Sequence, residues 1–250
     1  MKKIAATLIG LISLIVTARA DVTIVQKVEG ASPSLGQMTI KIKGDKSRIE
    51  ATPQMATIID AKTGEILNLM HDQKMVMRIS SEQARVAAKM AGEMSGLKEG
   101  TPKMKLTPTG KTQRIGEHDT QQYVSELPNF KATYWIATKY PNGPAILKEL
   151  QAMQPQSWAG TNMGMPDYRD LPGIPLKTVV STGGQEYTST VSSISLNPLS
   201  ETEFAVPQGY KESSLPDIFG RDTSDPKKPV GPDTKPAGVP GGAVTPSATP

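Results

Sequence analysis

The chain has 250 residues, with 28 Lys+Arg against 24 Asp+Glu, two histidines, twelve methionines and no cysteine. The missing thiol excludes a disulfide framework, a cysteine nucleophile, a thiolate zinc site, an iron–sulfur cluster and a lipidated N-terminal cysteine. His71 and His118 alone leave little for imidazole metal ligation or a Ser-His-Asp triad.

Residues 1–20 read as an address. Lys2 and Lys3 precede an apolar run from Ile4 to Val16, and the segment ends Ala18-Arg19-Ala20. A short positive region, an apolar stretch and a small-x-small ending are the parts of a secretory signal. The run is also shorter than the ~20 apolar residues that a membrane-spanning helix needs. Cleavage is expected after Ala20, with Asp21 as the mature start and a periplasmic or secreted location. Without Lys2, Lys3 and Arg19 the chain carries 25 basic and 24 acidic residues, a net charge of +1. A nearly neutral protein lacks the basic footprint of phosphate-backbone binding, so nucleic acid is not an expected partner.

From Val22 onward apolar residues alternate. Val22, Ile24 and Val28 oppose Thr23 and Lys27; Met38, Ile40 and Ile42 alternate with Thr39, Lys41 and Lys43. Period-two patterning marks strands with one face buried. Further strands are expected at 47–51, 56–60, 65–70 and 74–79. They are joined by hairpin-sized turns at Gly44-Asp45, Lys62-Thr63-Gly64 and His71-Asp72-Gln73, which makes sequence neighbours antiparallel neighbours in space.

The period changes after Ile79. Ser80 followed by Gln83 is a capping-box pattern, and Val86, Met90 and Met94 then recur every four residues, predicting an amphipathic helix that stops near Gly96. Residues 100–110, with Pro102 and Pro108, read as a loop. Strands are expected again at 112–117, 121–126 and 131–139, with His118 in a turn. A second short helix starts at Gly143-Pro144 and runs to Met153, with Ile146, Leu147 and Leu150 as its apolar stripe. After an irregular stretch at 154–173 come strands at 174–183, 186–196 and 202–206, with Gly183-Gly184 as a hairpin turn. Residues 221–250 contain seven prolines, four glycines and no aromatic residue. Such a segment buries too little to offset its ordering entropy and reads as a disordered tail, a possible contact for the cell wall or an envelope protein. The expected domain is residues 21–220: mainly β (α+β), an antiparallel meander of about twelve strands with two short helices.

Three stretches carry a family resemblance. The first is Val25-Gln-Lys-Val-Glu-Gly30 followed by Met38-Thr-Ile-Lys-Ile-Lys-Gly-Asp-Lys-Ser-Arg48. The second is Thr57-Ile-Ile-Asp60 with Thr63-Gly-Glu65. The third is Gly173-Ile-Pro-Leu-Lys177, Thr190-Val-Ser-Ser-Ile194 and Phe204-Ala-Val-Pro-Gln-Gly-Tyr210. Together they resemble a group of secreted bacterial domains of unknown function, itself similar to the LolA/LolB lipoprotein-carrier superfamily. The resemblance implies a LolA-like half-barrel, a curved antiparallel sheet or incomplete barrel with helices covering its mouth and an apolar cavity for acyl chains.

Eleven methionines remain after the expected processing. Thioether side chains are flexible and polarisable, which suits them either to filling core gaps or to a surface that adapts to varied apolar ligands. Met38, Ile40, Met75 and Met77 fall on the inward register of their strands, and Met90 and Met94 on the helix stripe. Trp158, Met163, Met165 and Tyr168 lie in the long connection 154–173, which reads as a lid or binding loop. These ten residues are the expected ligand-binding set. Met75-x-Met77 and Met163-x-Met165, with Met70-His71, also fit the thioether chemistry that selects Cu(I). Strand alternation already accounts for Met75 and Met77, so no metal or cofactor is assigned at this point. His118 between Glu117 and Asp119 lacks base–carboxylate geometry, because adjacent strand residues point to opposite faces. No Gly-x-Ser-x-Gly, His-Glu-x-x-His or phosphate-cradling motif is present. The expectation is a non-enzymatic extracytoplasmic protein that holds a lipid or lipoprotein acyl chain. The alternative is an envelope interaction module with a filled core, making contacts through its tail and the 154–173 loop.

Overall fold

A computed structural model describes residues 20–30, 36–94, 105–127, 130–153 and 168–214. All of these fall in the first of the two units into which the chain divides, residues 1–215 and 216–250. The expected leader up to residue 19 and the expected tail from 221 lie outside the described residues.

The alternating segments form β1 (Val22–Glu29), β2 (Gln37–Lys43), β3 (Lys46–Thr52), β4 (Met55–Asp60), β5 (Glu65–Met70) and β6 (Met75–Ile79), each antiparallel to the next. The turns explain the register. Gly44 adopts φ +59° in the two-residue β2–β3 connection, a conformation open to glycine without steric cost. Between β4 and β5, Asp60 Oδ1 accepts from the backbone N–H groups of Lys62 and Thr63, both at 2.9 Å. This Asx geometry reverses the chain through its own side chain. Between β5 and β6, Lys74 takes φ +49° and its N–H donates to the His71 carbonyl at 3.2 Å.

The helix α1 (Ser81–Met94) follows at once. Its capping box forms as expected: Gln83 N–H donates to Ser80 Oγ at 3.2 Å, and Ser80 N–H donates to Gln83 Oε1 at 2.9 Å. The second meander comprises β7 (Thr107–Ile115), β8 (His118–Leu127), β9 (Phe130–Ala137), β10 (Ile174–Thr182) and β11 (Gln185–Ser195), with α2 (Gly143–Ala152) between β9 and β10. Antiparallel pairing of β11 with β1 joins both meanders into a single sheet. A short β12 (Lys211–Ser214) adds to the β6 edge in parallel. The order is β12-β6-β5-β4-β3-β2-β1-β11-β10-β9-β8-β7: a twelve-stranded, open, curved, mixed sheet. Register irregularities at Val25/Gln26, Glu50/Thr52, Pro108/Thr112 and Pro175/Lys177 supply local bends.

Four local expectations are corrected. The stretch expected as loop up to 110 is strand from Thr107, because an edge strand with a bulge tolerates Pro108 and Gly110. His118 is not in the turn: it opens β8 opposite Ile115, and Gly116-Glu117 makes the reversal with Gly116 at φ +57°. Residues 202–206 are not a strand. Ser200 caps a 3-10 turn at Glu201–Phe204, accepting from Thr202 N–H. The twelfth strand lies later, at Lys211–Ser214. Among the described side chains of α1, Ala84 is buried and Val86 half-buried, while Met90, expected on the same stripe as Val86, is exposed.

Both faces of the sheet bury side chains. On one face, Ile146 and Leu150 of α2 pack on Val22, Ile24, Ile42, Ile174 and Leu176. The same packing continues through Leu147 and Tyr168 to Ala132, Tyr134 and Ile136. On the other face, Ala56, Ile58, Leu69 and Val76 are covered by Val206 and Tyr210 of the returning C-terminal segment. Polar contacts hold that segment in place. Asp21 Oδ2 accepts from Leu199 N–H at 2.7 Å and from Lys43 Nζ at 2.9 Å; Lys41 Nζ lies 2.6 Å from Glu203; and Arg48 Nη1 donates to the Glu203 carbonyl at 3.1 Å. The consecutive residues Ile58 and Ile59, which point to opposite faces of β4, are both buried. No helix among the described residues is long and apolar enough to cross a membrane.

Candidate functional site

Antiparallel partners project to the same side of a sheet, so the register sorts one face of β2–β6 into rows. The innermost row is Ile42, Ser47, Ile59, Ile66 and Ile79, each the direct partner of the next. The second is Ile40, Ile49, Thr57, Asn68 and Met77. The outermost joins Met55, Met70 and Met75, while Met38, paired with Gln26 of β1, occupies the corresponding end of β2.

On β2, β3 and β4 the inner residues Ile42, Ser47 and Ile59 are buried, the second row is half-buried throughout, and Met55 is 51% exposed, whereas on β5 and β6 all three rows are half-buried. The helix α2 packs on Ile42 and touches Ile40 at the β2 end. On its β2–β4 side the face therefore runs from the edge of a packed core to a methionine rim. Five neighbouring strands spaced about 4.8 Å apart make it about 19 Å wide from β2 to β6. A single polar pair interrupts it: Thr57 Oγ1 donates to Asn68 Oδ1 at 2.9 Å. Ser47 Oγ is buried without a hydrogen-bond partner among the described residues.

Four of the expected ligand-binding residues, Met38, Ile40, Met75 and Met77, share this face. Tyr168 does not: it opens a 3-10 turn at Tyr168–Asp170 and packs with α2 against the core of the other meander. Burial raises its phenol pKa above the ordinary tyrosine value, and burial likewise raises that of Tyr134. Met90 is exposed on α1, and the side chain of Met94 lies outside the described set. Trp158, Met163 and Met165 also lie outside the described residues. Pattern reading missed Ile49, Met55, Ile66 and the Thr57–Asn68 pair as members of the face; only hairpin register identifies them. Asp21, the expected mature start, makes the two contacts described above.

A separate pocket, lined by Asp21, Lys43, Asp45, Lys46, Asp60 and Glu201, has a volume of about 390 Å³. Its walls carry charges of both signs, which disfavours burial of an alkyl group. Of the two, only the methionine-rimmed face suits an apolar partner. His118 contributes no base–carboxylate pair there; its ring stacks obliquely on Tyr140 at 4.5 Å.

No curated protein matches this sequence. Among solved structures, the chain is similar to PNGF-II at 14% identity and a TM-score of 0.39, covering 78% of this chain and 32% of that one. It thus spans about a third of that protein's length. It is also similar to the Mycobacterium tuberculosis lipoprotein LppX, at 13% identity and a TM-score of 0.36, covering 72% and 88%. A third similarity is to a β-barrel-like protein of the domain of unknown function DUF1849 from Brucella abortus, at 9% identity and a TM-score of 0.27, covering 72% and 98%. The matching family model spans residues 26–210, from β1 to the tyrosine that precedes β12, and the chain belongs to that family, the domain of unknown function DUF4412.

Proposed function

We propose that this chain is a non-catalytic extracytoplasmic protein that shields an apolar ligand, a lipid or the acyl chain of a lipoprotein, against the β2–β6 face. The observation that carries this reading is the register itself: nine half-buried or exposed apolar side chains on one face, with the rim built from methionine. Methionine adapts its shape to irregular hydrocarbon, and the face has few polar groups to satisfy. Burial of hydrocarbon contributes about 0.8 kcal/mol per methylene, so about ten methylenes give roughly 8 kcal/mol of gross driving force before association costs. The leader-like residues 1–20 support the extracytoplasmic setting.

The test is uptake of a fluorescent fatty acid, followed by emission enhancement, in the unaltered protein and in Ile66→Lys and Met77→Lys. Both positions are half-buried, so circular dichroism must first establish that the variants fold. Saturable uptake that both substitutions abolish is the expected result. An unaltered protein that takes up no fatty acid, or folded variants that bind as well as it does, would overturn the reading.

A further inference from the structure

We propose that Met55, Met70 and Met75 form a binding site for a soft monovalent cation, Cu(I), with thioether sulfurs as its only protein ligands. Met70 stands directly opposite Met55 in the β4–β5 pair and directly opposite Met75 in the β5–β6 pair. Three sequence-distant thioethers are thus consecutive partners in one row. The Cβ atoms of direct cross-strand partners lie about 4.5–5.5 Å apart. With a metal–sulfur bond of about 2.3 Å, as at zinc thiolates, three sulfurs around a planar trigonal ion lie about 4 Å from one another. Met55 and Met75 flank Met70 from two strand spacings apart, about 9–11 Å between Cβ atoms, so each of these two thioethers must lean toward Met70 by about 2.5–3.5 Å, which takes the full reach of methionine's rotatable side chain.

The backbone beneath the row is fixed. His71 N–H donates to the Gln54 carbonyl at 2.9 Å, Lys74 N–H donates to the His71 carbonyl, and Lys211 N–H donates to the Lys74 carbonyl at 2.9 Å. The two reversals that position Met55, Met70 and Met75 are therefore tied to each other and to β12. Met55, 51% exposed, gives an ion access from solvent, and Met70 and Met75 are half-buried.

The donor set decides which ion fits. Thioethers are soft ligands that select Cu(I), whereas carboxylate and carbonyl oxygens suit Mg²⁺, Ca²⁺ and Mn²⁺. The other side chains in this register on β4–β6 are Thr57, Ile59, Ile66, Asn68, Met77 and Ile79, none of them a carboxylate or an imidazole. The nearby imidazole, His71, is engaged through Nδ1 with the Tyr210 hydroxyl at 2.5 Å. Met77, adjacent to Met75 on the same side of β6, offers a fourth sulfur.

The probes are Ag(I), which is redox-inert, titrated as its nitrate in chloride-free buffer, and Cu(I), measured anaerobically against a chromogenic chelator. Saturable binding at one ion per chain is expected. Met70→Leu should weaken it by about tenfold or more, since the loss of even an outer-shell partner costs a metal site about that much. Met38→Leu, on the same face but outside the row, should bind as the unaltered protein does. X-ray absorption of the Cu(I) form should show a shell of sulfur alone. Fatty-acid uptake by the unaltered protein, measured without metal, tests the apolar-ligand reading independently of the metal titration. Failure of the metal site is in this way distinguishable from failure of the apolar-ligand reading. Absence of saturable binding, equal binding by the Met55→Leu/Met70→Leu/Met75→Leu variant, or displacement by equimolar Zn(II) would overturn the site.

Discussion

His71 Nδ1 and the Tyr210 hydroxyl lie 2.5 Å apart, joining the β5–β6 reversal to a residue 139 positions later in the chain. Their rings meet edge to face with centroids 6.0 Å apart. Tyr210 also packs its ring against the Ala56, Ile58, Leu69 and Val76 cluster, and the next residue begins β12. Arg78 extends the connection by pairing with Glu212 at 2.6 Å and with Glu65. One tyrosine thus couples coverage of the sheet face to capping of its edge. Tyr210→Phe removes the hydroxyl but keeps the ring, and should lower stability by about 0.5–1.5 kcal/mol in urea denaturation. Tyr210→Ala, which also uncovers the cluster, should cost about 3–5 kcal/mol and speed hydrogen exchange on the β6 amides. An unchanged midpoint for Tyr210→Phe would mean the hydroxyl pair is not a net stabiliser.

The Thr57–Asn68 pair sits alone in an apolar row, which makes its energetics separable. Asn68→Leu leaves the Thr57 hydroxyl without its partner and should cost about 0.5–1.5 kcal/mol. Thr57→Val combined with Asn68→Leu removes both polar groups, and most of that loss should be recovered. A double-mutant cycle by chemical denaturation measures the coupling, and strict additivity of the two single changes would count against it. The doubly apolar face should also retain fatty-acid uptake.

Gly173 is fixed by crowding. A Cβ built on it would lie 2.3 Å from the Ala137 carbonyl oxygen and 2.7 Å from Thr138 Cα, both backbone atoms. Gly173→Ala should therefore separate β10 from β9 at its start, next to the buried Ile174, and destabilise by about 1–3 kcal/mol. Thermal unfolding gives the readout. A variant as stable as the unaltered protein would show that the β9–β10 junction yields easily.

Tyr134 and Tyr168 supply a pH dependence with a definite sign. Burial raises both phenol pKa values in the folded chain, while unfolded tyrosine titrates near 10. Between the unfolded and folded values the native state binds more protons than the unfolded state, so stability falls as pH rises. The contribution is fully present below about pH 10. Unfolding free energy measured from pH 8 to 11 should be level and then decline, and Tyr134→Phe should soften the decline. Phenolate absorbance near 295 nm should reach its full tyrosine count only as the chain unfolds.

Much of the strand grammar was legible in the sequence. Val22, Ile24, Met38, Ile40 and Ile42 alternate as a half-buried sheet requires, and the turns at Gly44-Asp45 and Gly183-Gly184 fall where glycine takes positive φ. Ser80 and Gln83 revealed a helix start because the cap is made within four residues. The 3-10 turn at Glu201–Phe204 was missed because its residues alternate like a strand, although the local Ser200 cap fixes them otherwise. The true last strand, Lys-Glu-Ser-Ser, has no apolar pattern, and only the exposed edge of β6 gives it a partner. Met90 carries a helical periodicity, yet among the described side chains of α1 it is exposed while Ala84 is buried, because periodicity alone does not say which side of a helix meets the rest of the fold.

The candidate site divides the same way. Sequence alone determined that residues 22–79 are short strands joined by tight reversals, because side-chain alternation and turn chemistry act over a few residues. It also placed Met38, Ile40, Met75 and Met77 on inward positions. Tertiary structure decided which positions became neighbours: that Met55, Met70 and Met75 stand in one row, that Thr57 faces Asn68, and that α2 stops covering the face near Ile40 and Ile42. The physical reason is that register fixes which residues stand opposite one another, while coverage depends on segments such as α2 and Val206–Tyr210 that pack from far along the chain and leave no mark on the local pattern.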